Sequence, residues 1–289
     1  MPIVLKNVTP QGEPLEVTYL PEKGMNMVSY KKGNIEIIDP STAALFEERY
    51  AGLGALIGPH FHRKNPKIVP KIHDESLFPH IARVKAKGVQ DPFSHGIGRY
   101  APWKAEASEQ AIKAVLTGKD EWNGVPLEQL EGQNFKMTFE AELLPDGLHI
   151  KMSIVSDLDS LVGLHYYYHL PQGKGVVQAE VRDTIRDHNS ARSIPKDWNF
   201  NDQHVLIYPL NQETDCTFYP FPDPLKGIIT LDTGVYQLKT VYESPSQENC
   251  WQLYHPHEAS FVCIEPLSAQ DPRHPHLTVS SLNVHLQIL

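Results

Sequence analysis

The chain has 289 residues, with 26 Lys and Arg against 35 Asp and Glu, a formal net charge of −9. An acidic surface repels polyphosphates and anionic lipids, which argues against a nucleic acid or a membrane as the partner. Apolar residues make up 40% of the chain, enough for a sizeable core, and none of their runs approaches the ~18 residues of a membrane-spanning segment.

The start, Met1-Pro2-Ile3-Val4-Leu5-Lys6, lacks a cationic stretch followed by a long apolar run and reads as a first strand, not a signal peptide. Alternation predicts further strands at residues 15–20 and 34–38, and residues 42–49 read as a short helix. From His60 to Trp103 the chain is rich in His, Arg, Pro and Phe. It reads as a long loop region of the kind that forms binding sites. Residues 109–116 read as a second short helix, stopped by Gly118.

The clearest hairpin follows. Phe135, Met137, Phe139, Ala141 and Leu143 alternate with polar residues, Pro145-Asp146-Gly147 supplies a tight reversal, and Leu148, Ile150, Met152 and Ile154 resume the pattern. Strands are also expected at residues 204–208, 227–231 and 279–288, with 24 prolines and 18 glycines scattered between the elements. These features predict one domain over residues 1–289, built from two large, mostly antiparallel sheets packed face to face. Cys216, Cys250 and Cys263 are widely spaced with no Cys-x-x-Cys pair. They argue against a disulfide framework or a structural zinc site and for a cytoplasmic setting.

Four clusters carry chemistry. Arg63, in Pro59-His60-Phe61-His62-Arg63, offers a donor fork for adjacent oxygens, or is simply an exposed loop arginine. His95-Gly96 with Arg99 and Trp103 combines close backbone approach, donors and a flat apolar face for a sugar. Alone, that stretch also fits a turn with a satisfied histidine. His165, in Gly163-Leu164-His165-Tyr166-Tyr167-Tyr168-His169, is either a packed core histidine or an acid. Glu265 closes the apolar run Phe261-Val262-Cys263-Ile264. A carboxylate there is unfavourable unless it is paired or faces a site. From their unperturbed pKa values of about 6.5 and 4.3, the imidazole would donate and the carboxylate accept. The pairs His60/His62 and His274/His276 could hold a metal on a strand, but they lie in Pro-rich stretches without an obvious third ligand, so no metal site is expected.

Taken in order, these clusters resemble the aldose 1-epimerase (galactose mutarotase-like) family. Pro59-x-x-x-Arg63 resembles its Pro-x-x-Asn-Arg motif, and His95-Gly96…Arg99…Trp103 its His-Gly…Arg…Trp stretch. His165-x-Tyr167-Tyr168-x-Leu170 resembles its His-x-Tyr-Phe-x-Leu segment, and Phe261–Pro266 its strand ending in Glu-Pro. The resemblance implies an all-β supersandwich of galactose mutarotase type with a few short helices. It also implies cofactor-free interconversion of the α and β anomers of a hexose. Glu265 would then be the base at the anomeric hydroxyl and His165 the acid at the ring oxygen, with Arg63, His95, Arg99 and Trp103 binding the sugar. Two arginines, Arg63 and Arg99, also fit the hexose-6-phosphate branch of the family, in which a phosphate is clamped. Two alternatives remain: a non-catalytic carbohydrate-binding protein on the same scaffold, and a metal-dependent sugar isomerase of the double-stranded β-helix kind using the His pairs. The chain departs from the family pattern at His62, where Asn is usual, and at Ser156, again in place of Asn. A substrate-binding Asp is implied between His165 and Glu265, but Asp197 and Asp202 both fit poorly and neither is assigned.

Overall fold

The structure is a computed structural model that describes residues 1–63, 65–187 and 190–289. Two antiparallel sheets dominate it. The first runs, in spatial order, Ile3–Val8, Pro14–Leu20, Asn26–Lys32, Gly54–Ile57, Gly163–His169, Phe261–Leu267, Cys250–His255 and Thr214–Pro220. The second runs Lys104–Ala107, Ala111–Thr117, Phe135–Leu144, Gly147–Ser156, Val279–Ile288, Gln237–Glu243 and Lys226–Asp232.

One long strand, Val176–Asp187, belongs to both. Its first half pairs with Lys226–Asp232 and Val205–Pro209 in the second sheet. Past a register shift between Val181 and Ile185, its second half pairs with Thr214–Pro220 in the first. The shift lets the strand bend from one layer to the other, as bulges do at sheet corners. Face to face, the layers meet through large side chains. Tyr19 packs edge-on against Phe139 with ring centroids 5.4 Å apart, and the Tyr30 hydroxyl donates to the Leu286 carbonyl at 3.1 Å. Fully burying an aromatic side chain of this kind contributes roughly 1.5–3 kcal/mol, and an edge-to-face pair adds about 0.5–1.5 kcal/mol.

The expected hairpin forms from Phe135–Leu144 and Gly147–Ser156, and the last strand spans Val279–Ile288. The helix predicted over 42–49 is present as Ala43–Arg49, ended by Tyr50 in the left-handed region. Two expectations are corrected. Residues 109–116 do not form a helix: Ala111–Thr117 is a strand paired with Phe135–Leu144. Ile112, Ala114 and Leu116 point inward in steps of two, so the sheet decides over the local helix signal. The strand expected over 34–38 shrinks to Ile35–Glu36. A further helix, Pro79–Ala86, lies inside the region read as loop, with Pro at its first turn and His80, Ile81 and Val84 buried. Among the described residues no helix is long and apolar enough to cross a membrane.

Candidate active site

The strand Gly163–His169 lies in the middle of the first sheet, flanked by Gly54–Ile57 and Phe261–Leu267. Alternation sends Leu164, Tyr166 and Tyr168 into the sandwich core and turns His165 and Tyr167 to the opposite face. Both faces are covered, which explains a strand rich in tyrosine. The register that pairs Gly163 with Leu267 and Tyr166 with Ile264 sets His165 opposite Glu265. Gln252 lies opposite Glu265 on the next strand, and Thr217 opposite Gln252 on the one after. A row of polar side chains therefore crosses four neighbouring strands on one face.

His165 Nε2 stands 3.4 Å from Glu265 Oε1. The Tyr167 ring stacks on the His165 imidazole, with centroids 5.0 Å apart and planes at 14°. Thr217 donates to Gln252 Oε1 at 2.6 Å, and the Gln252 amide donates to Asp215. The loops between Gly58 and Trp103 roof this row. Together they enclose a cavity of about 280 Å³, lined by His165, Glu265, His95, Arg99, Asp215 and Gln252, among others. That volume is near the lower end of small-molecule sites, roughly 300–1,000 Å³.

His95 sits beside His165, ring centroids 5.3 Å apart, and stacks on Phe61. Its Nδ1 is 2.8 Å from the Phe61 carbonyl. A carbonyl only accepts, so Nδ1 carries the proton and Nε2 is left as an acceptor. The next residue must be glycine. Gly96 has φ of +91°, and a Cβ there would lie 2.1 Å from the Gly58 carbonyl oxygen.

The electrostatics shift the two proton affinities toward one another, against the order expected from free side chains. Burial, reinforced by the Asp215 carboxylate, pushes the Glu265 carboxyl well above the usual range, against the pull of Arg99. Burial and the Arg99 guanidinium together hold the His165 imidazole well below its ordinary value. The same two causes, burial first, keep His95 neutral. Burial thus favours the neutral form of both side chains. Glu265 Oε2, His165 Nδ1, and Arg99 Nε and Nη2 are buried without a hydrogen-bond partner inside the protein. Orphaned polar atoms converging on one cavity are what a polar ligand satisfies.

Not every expected residue reaches this cavity. His95, Arg99, His165 and Glu265 line it, whereas Arg63 and Trp103 do not. Arg63 turns into a buried ion cluster: its Nε is 3.4 Å from Asp91, its Nη2 3.8 Å from the Glu131 carboxylate, and Nη1 donates to the Glu131 carbonyl. His60 bridges the same two acids, 2.9 Å from Asp91 and 2.6 Å from Glu131. Trp103 is a core residue whose indole donates to the Gly98 carbonyl at 2.8 Å. Among the described residues, neither histidine pair gathers a third donor. His60 is taken up by its acids and His62 faces the cavity, while His274 meets Asp271 and His276 meets Glu248.

Several lining residues had no assignment from sequence: Asp215, Gln252, Tyr167, Arg49 and Arg273. Asp215 supplies an acid between His165 and Glu265 in the chain, at the head of Thr214–Pro220. Its face of the strand was the available signal. Arg49 ends the helix Ala43–Arg49, and nothing local distinguishes Arg273.

No family model and no curated protein matches the chain in sequence. Solved structures do match it in shape. A galactose mutarotase-like protein from Lactobacillus casei superposes with a TM-score of 0.69 at 13% identity, covering 100% of both chains. The aldose epimerase homologue from C. elegans gives 0.64 at 14% identity, over 100% of this chain and 99% of the other. A galactose mutarotase-like protein from Clostridium acetobutylicum gives 0.61 at 12% identity, over 99% and 98%. With its bent strand shared by two antiparallel layers, the chain has the galactose mutarotase-like fold.

Proposed function

We propose that the protein is an aldose 1-epimerase-like enzyme that interconverts the α and β anomers of a hexose. The observation that carries this reading is the opposed pair His165 and Glu265, 3.4 Å apart at the base of a polar cavity. Ring opening needs one proton removed from the anomeric hydroxyl and one delivered to the ring oxygen. With Glu265 as base and His165 as acid, opening converts imidazolium and carboxylate into neutral imidazole and carboxylic acid. Rotation about C1–C2 presents the other carbonyl face. Reclosure with the roles reversed regenerates the charged pair, so the protons balance over the cycle. Burial favours the neutral pair, the state that accompanies the open sugar. Hydrogen bonds from a bound sugar offset the cost of the charged state, and Arg99 favours the Glu265 carboxylate while opposing the His165 imidazolium. Each transfer contributes on the order of 10²–10⁴ in rate. His95 Nε2 accepts from a ring hydroxyl, and Asp215, held by Gln252, accepts from others.

Anomer exchange by NMR or polarimetry on freshly dissolved α-glucose, α-galactose and hexose 6-phosphates tests the reading. If no sugar equilibrates faster than in buffer, catalysis fails as the function. Binding by calorimetry without exchange would instead identify a carbohydrate-binding protein. A second reading, a sugar carrying an anionic group such as a 6-phosphate, is favoured by three lining arginines. Arg49 Nε, Arg99 Nε and Nη2, and Arg273 Nη1 all lack partners within the protein, and guanidinium forks suit phosphate oxygens.

A further inference from the structure

On the outer face of the second sheet, the hairpin strand Gly147–Ser156 pairs with Val279–Ile288, and the register sets His149 directly opposite His285. Their rings stack with centroids 3.8 Å apart and planes at 20°. Asp146, in the hairpin turn, closes the third side: its Oδ1 is 3.3 Å from His149 Nε2 and its Oδ2 3.6 Å from His285 Nε2. A tetrahedral ion holding nitrogen and oxygen at ~2.0–2.2 Å separates its ligand atoms by roughly 3.3–3.5 Å. One donor atom from each of the three residues already lies within 4.8 Å of the other two. His285 Nε2 is buried and has no hydrogen-bond partner. Gln287 donates to the Asp146 carbonyl at 3.1 Å, fixing the turn that presents the carboxylate. The Asp146 side chain is 55% exposed and that of His149 36%, so an ion can enter from solvent. None of the three lines the catalytic cavity.

We propose that Asp146, His149 and His285 bind one divalent transition-metal cation, with water completing its shell. Two imidazoles and one carboxylate select ions such as Zn²⁺, Co²⁺ or Ni²⁺ over the oxygen-seeking Ca²⁺ and Mg²⁺. The bound ion ties the hairpin turn to the last strand. It acts on stability, since a ligand that binds only the folded state stabilises it.

Chelator-stripped full-length protein is titrated with Zn²⁺ by calorimetry and with Co²⁺ by visible absorption, beside the H149Q/H285Q double variant and Asp146→Asn. The expected result is one more equivalent bound by the wild type than by the double variant, with Co²⁺ ligand-field bands that the double variant lacks. Asp146→Asn should weaken binding at least about tenfold, and Zn²⁺ should raise the melting temperature of the wild type alone. Equal stoichiometry and affinity in wild type and double variant overturn the proposal. Should the double variant not fold, imidazole NMR of the wild type decides. Paramagnetic Co²⁺ must perturb the His149 and His285 signals before those of the other histidines, and perturbation of others first overturns it.

Discussion

His165 and Glu265 face one another across adjacent strands, Nε2 to Oε1 at 3.4 Å, with the Tyr167 ring stacked on the imidazole. Both side chains project from paired central strands and are buried, which limits their movement and preorganises the pair. Glu265→Gln and His165→Gln should each lower the rate of anomer exchange by about 10²–10⁴. The double variant should lose little beyond the worse single one, because the two groups act as a unit. Exchange spectroscopy on the three variants measures this. An unaltered rate in either single variant removes that residue from the chemistry.

The raised proton affinity of Glu265 also affects stability. Its folded-state pKa lies above the unfolded value of about 4.3. Folding therefore takes up a proton between those two values, and stability falls as pH rises through that window, by up to about 1.4 kcal/mol per pH unit. A glutamine side chain in its place does not titrate. The melting temperature of Glu265→Gln should accordingly exceed that of the wild type by a margin that is smallest near pH 4 and widens toward neutrality. A margin independent of pH would mean that the carboxyl is not held protonated.

Much of the fold was legible from the chain because alternation over long runs specifies register. Phe135 to Leu143 and Val279 to Ile288 are read at nearly their observed bounds, since a slip by one residue would expose every apolar side chain. Short elements were less legible. Ile112, Ala114 and Leu116 alternate for one step too few to outweigh a helix-like composition, and the neighbouring strand settles their state. Within the site, the opposed pair follows from two strands whose polar residues stand out against apolar runs. Arg63 and Asp215 show the limit. Where a guanidinium turns is decided by Glu131, 68 residues further on, and Asp215 reaches the cavity only because Thr214–Pro220 packs beside Cys250–His255.

Arg63 and Arg99 should consequently separate in experiment. Arg99 is 3% exposed, lines the cavity and has two nitrogens without partners. Arg99→Met should raise KM at least about tenfold, most of all for a phosphorylated sugar. Arg63→Met removes a cation from between Asp91 and Glu131, the latter fully buried. Breaking a buried pair in this way costs about 3–5 kcal/mol. Its signature is a lower denaturation midpoint with a smaller change in KM. Steady-state exchange rates and urea unfolding of both variants distinguish the two roles, and a large KM effect from Arg63 with unchanged stability would return it to the sugar.

The turn at Gly96 ties stability to the site. Its positive φ and the Gly58 carbonyl oxygen 2.1 Å from any Cβ leave no room, because the obstructing atoms are backbone. Gly96→Ala combines overpacking with backbone strain, each on the order of 1–3 kcal/mol. The loop can relieve this only by moving away from Gly58, which carries His95 with it and breaks the 2.8 Å contact between Nδ1 and the Phe61 carbonyl. Freed of that contact, His95 no longer presents Nε2 to the cavity in a fixed tautomer, so kcat/KM should fall along with stability. Gly98→Ala provides the control. Its closest flexible neighbour is the end of the Met137 side chain at 3.1 Å, which can yield, and its nearest backbone atom is 2.9 Å away. The loss at Gly98 should be clearly smaller in both denaturant unfolding and exchange rate, and equal losses at the two positions would contradict the steric account.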